Sequence, residues 1–198
     1  MPLYASTAQI KAALRITDSV DDSLVSMAGS AASDLIDGYC GRSFGTVTTT
    51  RTFAPVESLV VQVDDLASIP TLVQSSSNAD GTYDLTWTAG TDYQAEPLNG
   101  IADGLSWPYT RLRAIKNAWW PAALGEATVR VTATFGWPSV PVSVTQAAVI
   151  QACRIFARTS SPLGVAGASD IGVFRVTRAV DPDVAVLLDP YRRMRGIS

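Results

Sequence analysis

The spacing of apolar residues changes period twice along this chain, and that double change limits its folds more than any single motif does. Up to about residue 44, and again from about 138, apolar positions recur at helical spacing; between them they alternate. A block of strands held between two helical segments is the order of an α+β chain. A doubly wound chain would interleave strands and helices one by one. The expected architecture is a small helical bundle made of residues 1–44 and 138–198, carrying an inserted antiparallel β module at 45–137.

The first helical segment carries its own start signals. Ser6-Thr7-Ala8-Gln9 has capping-box spacing and opens a short helix through about Arg15, with Ile10 and Leu14 on one face. Ser19-Val20-Asp21-Asp22 repeats the spacing and opens a longer helix, whose first-turn carboxylates suit the positive end of the helix dipole. Its apolar stripe reads Leu24, Met27, Ala28, Ala31, Leu35 and Tyr39, widened by Ala32 and Ile36, with Gly41 as the stop.

In the middle, the pattern predicts strands at 46–53, 58–63, 71–74, 83–87 and 111–115. The clearest strand is 128–135, where Val129, Val131, Ala133 and Phe135 alternate with polar or basic residues. Asn78-Ala79-Asp80-Gly81 and Asn99-Gly100 are turn chemistry. Asp64-Asp65 falls where the second strand is expected to run out into a loop.

The helical period returns after Pro141. A third helix is expected to about Arg158, apolar nearly all round except for a stripe at Gln151, Arg154 and Arg158. A helix with so little polar surface is either central in its domain or packed on another subunit. Residues 159–172, rich in Ser, Pro, Gly and Ala, read as a mobile loop, and Phe174-Arg175-Val176 as a short strand. Asp181-Pro182 is a cap followed by proline at the first helical position. It starts a last helix with Val184, Leu187, Leu188 and Tyr191 on its apolar face. Residues 192–198, with Arg192, Arg193 and Arg195, read as a flexible basic tail.

Composition narrows the chemistry. The chain has no histidine, which removes Ser-His-Asp and Cys-His arrangements and the commonest metal ligand. Its net charge of −3 argues against a surface built to grip nucleic acid. Cys40 and Cys153 have neither metal-ligand nor disulfide-framework spacing and read as buried thiols. Gly164-Val165-Ala166-Gly167 lacks the Gly-Lys-Ser/Thr ending of a phosphate loop. Asp21-Asp22 is accounted for by helix capping, and neither it nor Asp64-Asp65 has a cationic neighbour in sequence. No catalytic residue, metal or cofactor is expected. Trp107, Trp119, Trp120 and Trp137 fit core filling, an intersubunit anchor, or a sugar-stacking face. The arginine stripe and tail fit a solvated face, an acidic partner subunit, or passing DNA. The start of the chain shows no secretion signal and no run spans a bilayer, so synthesis in the host cytoplasm and no membrane partner are expected.

Several segments carry a resemblance. Tyr4-Ala5-Ser6 through Leu14-Arg15-Ile16-Thr17, and Ala31-Ala32-Ser33-Asp34-Leu35-Ile36-Asp37-Gly38-Tyr39-Cys40-Gly41-Arg42-Ser43-Phe44, are similar to the opening of the head-to-tail connector (adaptor) proteins of tailed bacteriophages. Trp137-Pro138-Ser139-Val140-Pro141, Phe156-Ala157-Arg158, Ser161-Pro162-Leu163-Gly164-Val165, Asp181-Pro182-Asp183-Val184 and Leu187-Leu188-Asp189-Pro190-Tyr191-Arg192-Arg193 resemble the second half of that family. The β module departs from its shortest, all-helical members. The resemblance implies a helical bundle and a structural role in the virion at the head–tail interface. It implies a ring of identical subunits, usually dodecameric in that family, docked on the portal protein after DNA packaging. Such a ring extends the DNA channel without reading sequence and offers a surface to the next connector or tail-completion protein. Apart from the resemblance, the β module is expected on the outside of the ring, in contact with capsid or neighbouring subunits. On this reading Asp181, Val184, Leu187, Leu188, Tyr191, Arg192, Arg193 and Arg195 are interface candidates, and Gln151, Arg154 and Arg158 are helix-face or channel candidates. Deletion from Tyr191 onward is expected to abolish docking with little change in far-UV circular dichroism. Another head-closure or tail-completion role, or a carbohydrate-binding β module, stands as the alternative.

Overall fold

Ser6 accepts a hydrogen bond from the Gln9 amide while the Gln9 side chain accepts one from the Ser6 amide, so the expected capping box closes at the start of α1 (Thr7–Leu14). The computed structural model describes residues 3–78, 80–121, 125–159 and 181–193. The chain divides into two units, Met1–Phe44 with Val140–Ser198, and Gly45–Ser139. N- and C-terminal helices flank an antiparallel β module, an α+β fold.

The helical unit contains α1, α2 (Asp22–Cys40), α3 (Val142–Thr159) and α4 (Pro182–Leu188). The second capping box does not form: Asp21 is the N-cap of α2 and its side chain makes no cap bond, and the Ser19 carbonyl instead accepts from the Asp22 amide. At its far end α2 stops at Gly41 in the left-handed region, as its sequence suggests.

The core-facing side of α2 also differs from the expected stripe. Val25, Ala28, Gly29, Ala32, Ser33, Ile36 and Cys40 are buried, whereas Leu24 and Met27 are 40% and 68% exposed and Ala31 is exposed. Apolar and small residues occupy most of the helix circumference, so period alone could not choose between two faces. Close approach chose: a Cβ at Gly29 would lie 3.0 Å from the Ile10 side chain, so the small residues turn toward α1. α3 packs on α1, α2 and α4 through Val144, Ala147, Ala148 and Ala152, which makes it central in its unit. The expected mobile loop at 160–172, the short strand at 174–176 and the tail at 194–198, including Arg195, lie outside the described residues.

The β unit is built on β1 (Val47–Phe53), β2 (Val60–Leu66), β3 (Leu72–Ser75), β4 (Leu85–Trp87), β5 (Tyr93–Glu96), β6 (Ile101–Ala102), β7 (Leu105–Ser106), β8 (Tyr109–Ala114) and β9 (Val129–Phe135). Seven of these form one antiparallel sheet in the order β4-β3-β9-β2-β8-β5, with β1 paired to β9; β6 and β7 make a separate hairpin. β9 alternates as expected, with Val129, Val131, Ala133 and Phe135 all buried. They join Val61, Val63, Leu66, Val73, Tyr93, Leu112 and Trp120 in one core. β5 and the β6–β7 hairpin carried no clear alternation and were not expected.

β2 runs on to Leu66, so Asp64 and Asp65 sit inside a strand rather than in a loop. The β2–β8 pairing shifts register between Gln62 and Leu66, which is where the two carboxylates fall. Asp64 also has the cationic neighbour that its sequence surroundings lack, because Arg51 donates to it at 2.7 Å.

Candidate functional site

In the helical unit, the residues singled out in the last helix divide into two groups. Val184 and Leu188 are fully buried and Tyr191 is 9% exposed, so these three hold the segment to its own unit. Tyr191 meets Phe44 edge-on, and Phe44 in turn meets Tyr4 edge-on. Leu187 is half-buried, and Arg192 and Arg193 are exposed. The Arg193 amide donates to the Cys40 carbonyl at 2.8 Å, tying residues 189–193 to the C-terminal end of α2. Nearby the Tyr39 hydroxyl donates to Asp189 at 2.6 Å, and the Arg192 guanidinium lies over the Tyr39 ring, 4.9 Å from its centre. Arg192 and Arg193 thus make backbone and ring contacts with the end of α2, while the rest of the expected flexible tail, 194–198, lies outside the described residues.

The stripe on α3 is not one uniformly solvated row. Gln151 is 5% exposed, inside the unit. Arg154 pairs with Asp181, whose carboxylate also accepts from the Asp183 amide to cap α4. Only Arg158 of the three is exposed. The i, i+3/i+4 spacing was legible, but a helix packed on three others turns part of any row inward.

A polar knot fixes the start of the chain. The Tyr4 hydroxyl donates to Asp37 at 2.5 Å and accepts from the Phe44 amide at 2.9 Å. Burial, then the bond to Asp37, pushes the Tyr4 phenol up to about 12. Burial also raises the Asp37 carboxyl, outweighing its hydrogen bonds. Burial raises the Cys40 thiol to about 11, so it is a poor nucleophile; Cys153 is partly buried and both thiols are free.

The outer surface of the same unit is less ordinary. Along α2 the exposed side runs Ser23, Leu24, Met27, Ser30, Ala31, Asp34 and Gly38, and the helix contains no lysine, arginine or glutamate. Solvent-facing helical positions usually carry long charged side chains. The outer face of α1 is small-residue surface too, with Ala8, Ala12 and Ala13 exposed and Arg15 at its end. No signal short of tertiary contacts could have assigned these faces, because the sequence gives the α2 stripe a core role equally well.

In the β unit the tryptophans are mainly structural. Trp120 is 1% exposed and stacks on Trp87 at 3.8 Å between ring centres; Trp137 is 2% exposed and meets Trp107 edge-on at 4.8 Å. Trp119 alone of the four candidates is largely exposed, at 62%. Glu96 sits between Arg113, at 2.6 Å, and Arg111, at 3.6 Å. Burial pushes its carboxyl up, but the hydrogen bonds from Arg113 and Gln94 and the arginine charges outweigh that, so it lies below the usual range. On the outward side of β1 and β9, hydroxyls pair across the strands, Thr48 with Thr134 and Thr50 with Thr132. Among the described residues no cluster of three or more acids, cysteines or histidines could hold a metal ion, and no helix is long and apolar enough to cross a membrane.

No protein-family model matches this chain, and no curated protein matches its sequence. Solved structures do share its fold. A chain in the neck of an empty gene transfer agent (GTA) particle, computed with C6 symmetry, is 16% identical with a TM-score of 0.58; the match covers 97% of this chain and 91% of that one. A chain in the neck of the native particle, computed with C12 symmetry, is 16% identical with a TM-score of 0.51, covering 98% and 97%. A chain in the virion of the native particle is 18% identical with a TM-score of 0.55, covering 97% and 91%. The likeness therefore extends over both units, and what it establishes is a fold held in common with components of a phage-like neck.

Proposed function

We propose that this chain is a structural virion protein, one subunit of a connector ring that docks on the portal after DNA packaging and joins head to tail. The observation that carries this reading is the near-complete coverage, in both directions, of chains from neck structures with sixfold and twelvefold symmetry. A closed ring needs two unlike surfaces on each subunit and no chemistry. The chain supplies low-charge helix faces on its helical unit and no histidine for acid–base work. On this reading its partners are the portal, identical neighbours and the next connector or tail-completion protein. DNA passes through the ring without sequence-specific contacts. Portal contact is assigned to half-buried Leu187 of the last helix and to exposed Arg192 and Arg193 beyond it, held in place by buried Val184, Leu188 and Tyr191.

Electron microscopy of a lysate from the source phage with this gene deleted tests the proposal. DNA-filled or leaking heads beside separate, complete tails are the expected result. Intact virions would overturn it.

A further inference from the structure

We infer that the open edge of β1 in one copy takes up residues 171–178 of the next copy as an added strand, so that strand pairing links neighbours in the ring. This rests on the ring reading above and names the contact that joins one copy to the next.

Peptide groups along a strand point alternately to its two sides, and those of β9 can be followed. The carbonyls of Thr128, Thr132 and Thr134 accept from the amides of Ser76, Thr71 and Ala67, and the Gly136 amide donates to the Asp65 carbonyl. The even residues of β9 therefore turn toward β2 and β3. Its odd residues turn toward β1, where Val129, Val131, Ala133 and Phe135 meet Phe53, Arg51, Thr49 and Val47 in unbroken register. That leaves Thr48, Thr50 and Thr52 with amide and carbonyl directed away from β9. All three are exposed, and none makes a further backbone hydrogen bond among the described residues.

The other edges of the sheet are nearly closed. Because Ser76 turns to β9, Val73 and Ser75 turn to Trp87 and Leu85, and within β4 the position left open is Thr86. The Ile115 amide donates to Asp92, so Gln94 and Glu96 turn to β8; the Tyr93 carbonyl accepts from Gly90, and within β5 the position left open is Ala95. β1 lacks the devices that blunt an edge strand. It is seven residues long, without lysine, proline or bulge, and its one charged side chain, Arg51, is turned to Asp64 at 2.7 Å. An edge of this kind is a template for another strand.

The ring narrows the choice of strand. β1 against β1 of a second copy would be a two-fold contact and end at a dimer. One open position on β4 or β5 cannot satisfy three. Outside the described elements, Val173, Phe174, Arg175, Val176 and Thr177 form a run rich in strand formers with apolar and polar sides. Added to β1, the side with Phe174 and Val176 matches the side that carries Phe53 and Val47, the latter 52% exposed; Arg175 and Thr177 match the row of threonines. Residues 160–180 are also more chain than is needed to join α3 to α4, because Arg154 already pairs with Asp181. Half of that stretch, extended, spans ~30 Å, enough to reach a neighbour.

Cross-linking in purified particles tests this. Particles carrying Thr50→Cys and Arg175→Cys together are treated with a short thiol-to-thiol linker and run on a denaturing gel, beside each single variant and the unmodified chain with its native Cys40 and Cys153. A ladder of multimers of this chain, seen only with the double variant, is the expected result. A link confined to the monomer, a discrete dimer from Thr50→Cys alone, a link to a different protein, or no link in particles that contain the chain would each overturn this pairing and leave the neck reading standing. A second variant, in which glycine and serine replace residues 171–178 at equal length, decides the matter if the double variant forms no particles. Its isolated chain is expected to melt like the unmodified one while heads and tails go unjoined. A lowered melting point, or virions joined normally, would overturn the pairing. Absence of the unmodified chain from purified particles would overturn the neck reading and this contact with it.

Discussion

Tyr191 meets Phe44 with ring centres 5.8 Å apart and an interplanar angle of 84°, closing the last turn of the chain onto the residue that ends its first helical segment. Tyr191→Ala should cost about 3 kcal/mol, as a large buried ring replaced by a methyl usually does. Arg192→Ala, at the surface, should change stability by less than ~1 kcal/mol. Thermal melts of the two variants check the contrast. A truncation from Tyr191 onward would therefore damage the fold itself, so portal binding is better probed with Arg192→Glu and Arg193→Glu in a chain that retains Tyr191.

Gly136 adopts φ +116°, and a Cβ there would lie 1.9 Å from the Gly45 carbonyl oxygen. Gly136→Ala must either move the backbone or lose the close approach of the strands at that end of the sheet. A loss of about 3 kcal/mol or more is expected. Urea denaturation that leaves the midpoint in place would show that the approach is not needed.

The two buried phenols make stability depend on alkaline pH. Tyr4 and Tyr93 are each raised from an ordinary value near 10 to about 12, both first by burial. The unfolded chain therefore releases these protons at lower pH than the folded one. Their contribution is full below pH 10 and is lost as pH rises toward 12. Tyr4→Phe should flatten part of that decline, while lowering neutral-pH stability by about 1–2 kcal/mol through the lost bonds to Asp37 and Phe44. Melting curves across the alkaline range measure both effects.

Trp120 and Trp119 should respond oppositely to substitution. Trp120→Ala removes a buried ring stacked on Trp87 and should cost about 4 kcal/mol, whereas Trp119→Ala should be close to neutral. Tryptophan fluorescence titrated with soluble glycans should not change, because one exposed ring is a poor sugar platform. A saturable change abolished by Trp119→Ala would revive the carbohydrate-binding alternative.

The β module's place in assembly can be tested by excision. Replacing residues 46–136 with a short linker should leave the helical unit folded but fail to support virion assembly, if the module contacts capsid or neighbouring subunits from outside the ring. Normal virions from that variant would count against such a role.

How much was readable in the residues themselves varies with the physics involved. β9 was fully legible, since period-two alternation is a local property and each odd residue is buried. The capping box at Ser6 was legible for the same reason, and the start of α4 at Asp181-Pro182 too. Which side of α2 faces inward was not, because it turns on Ile10 approaching Gly29 from a separate helix. Arg154 looked like a surface residue until Asp181, distant in sequence, was seen to meet it. Among the interface candidates, the apolar pattern correctly marked an amphipathic helix, but it could not say whether its partner was another subunit or the same one.

The pairing of β1 with β9, from Val47 opposite Phe135 to Phe53 opposite Val129, has a consequence for how the chain reaches its native state. α3 and α4 have to find α1 and α2 across the whole of residues 45–139. As a random coil that span imposes a closure entropy growing with the logarithm of its length. Once the sheet forms, its first and last strands lie side by side, and the effective loop shrinks to the few residues on either side of them. The inserted module thus serves as a clasp during synthesis and folding: sheet formation turns a long-range helical docking into a nearly local one.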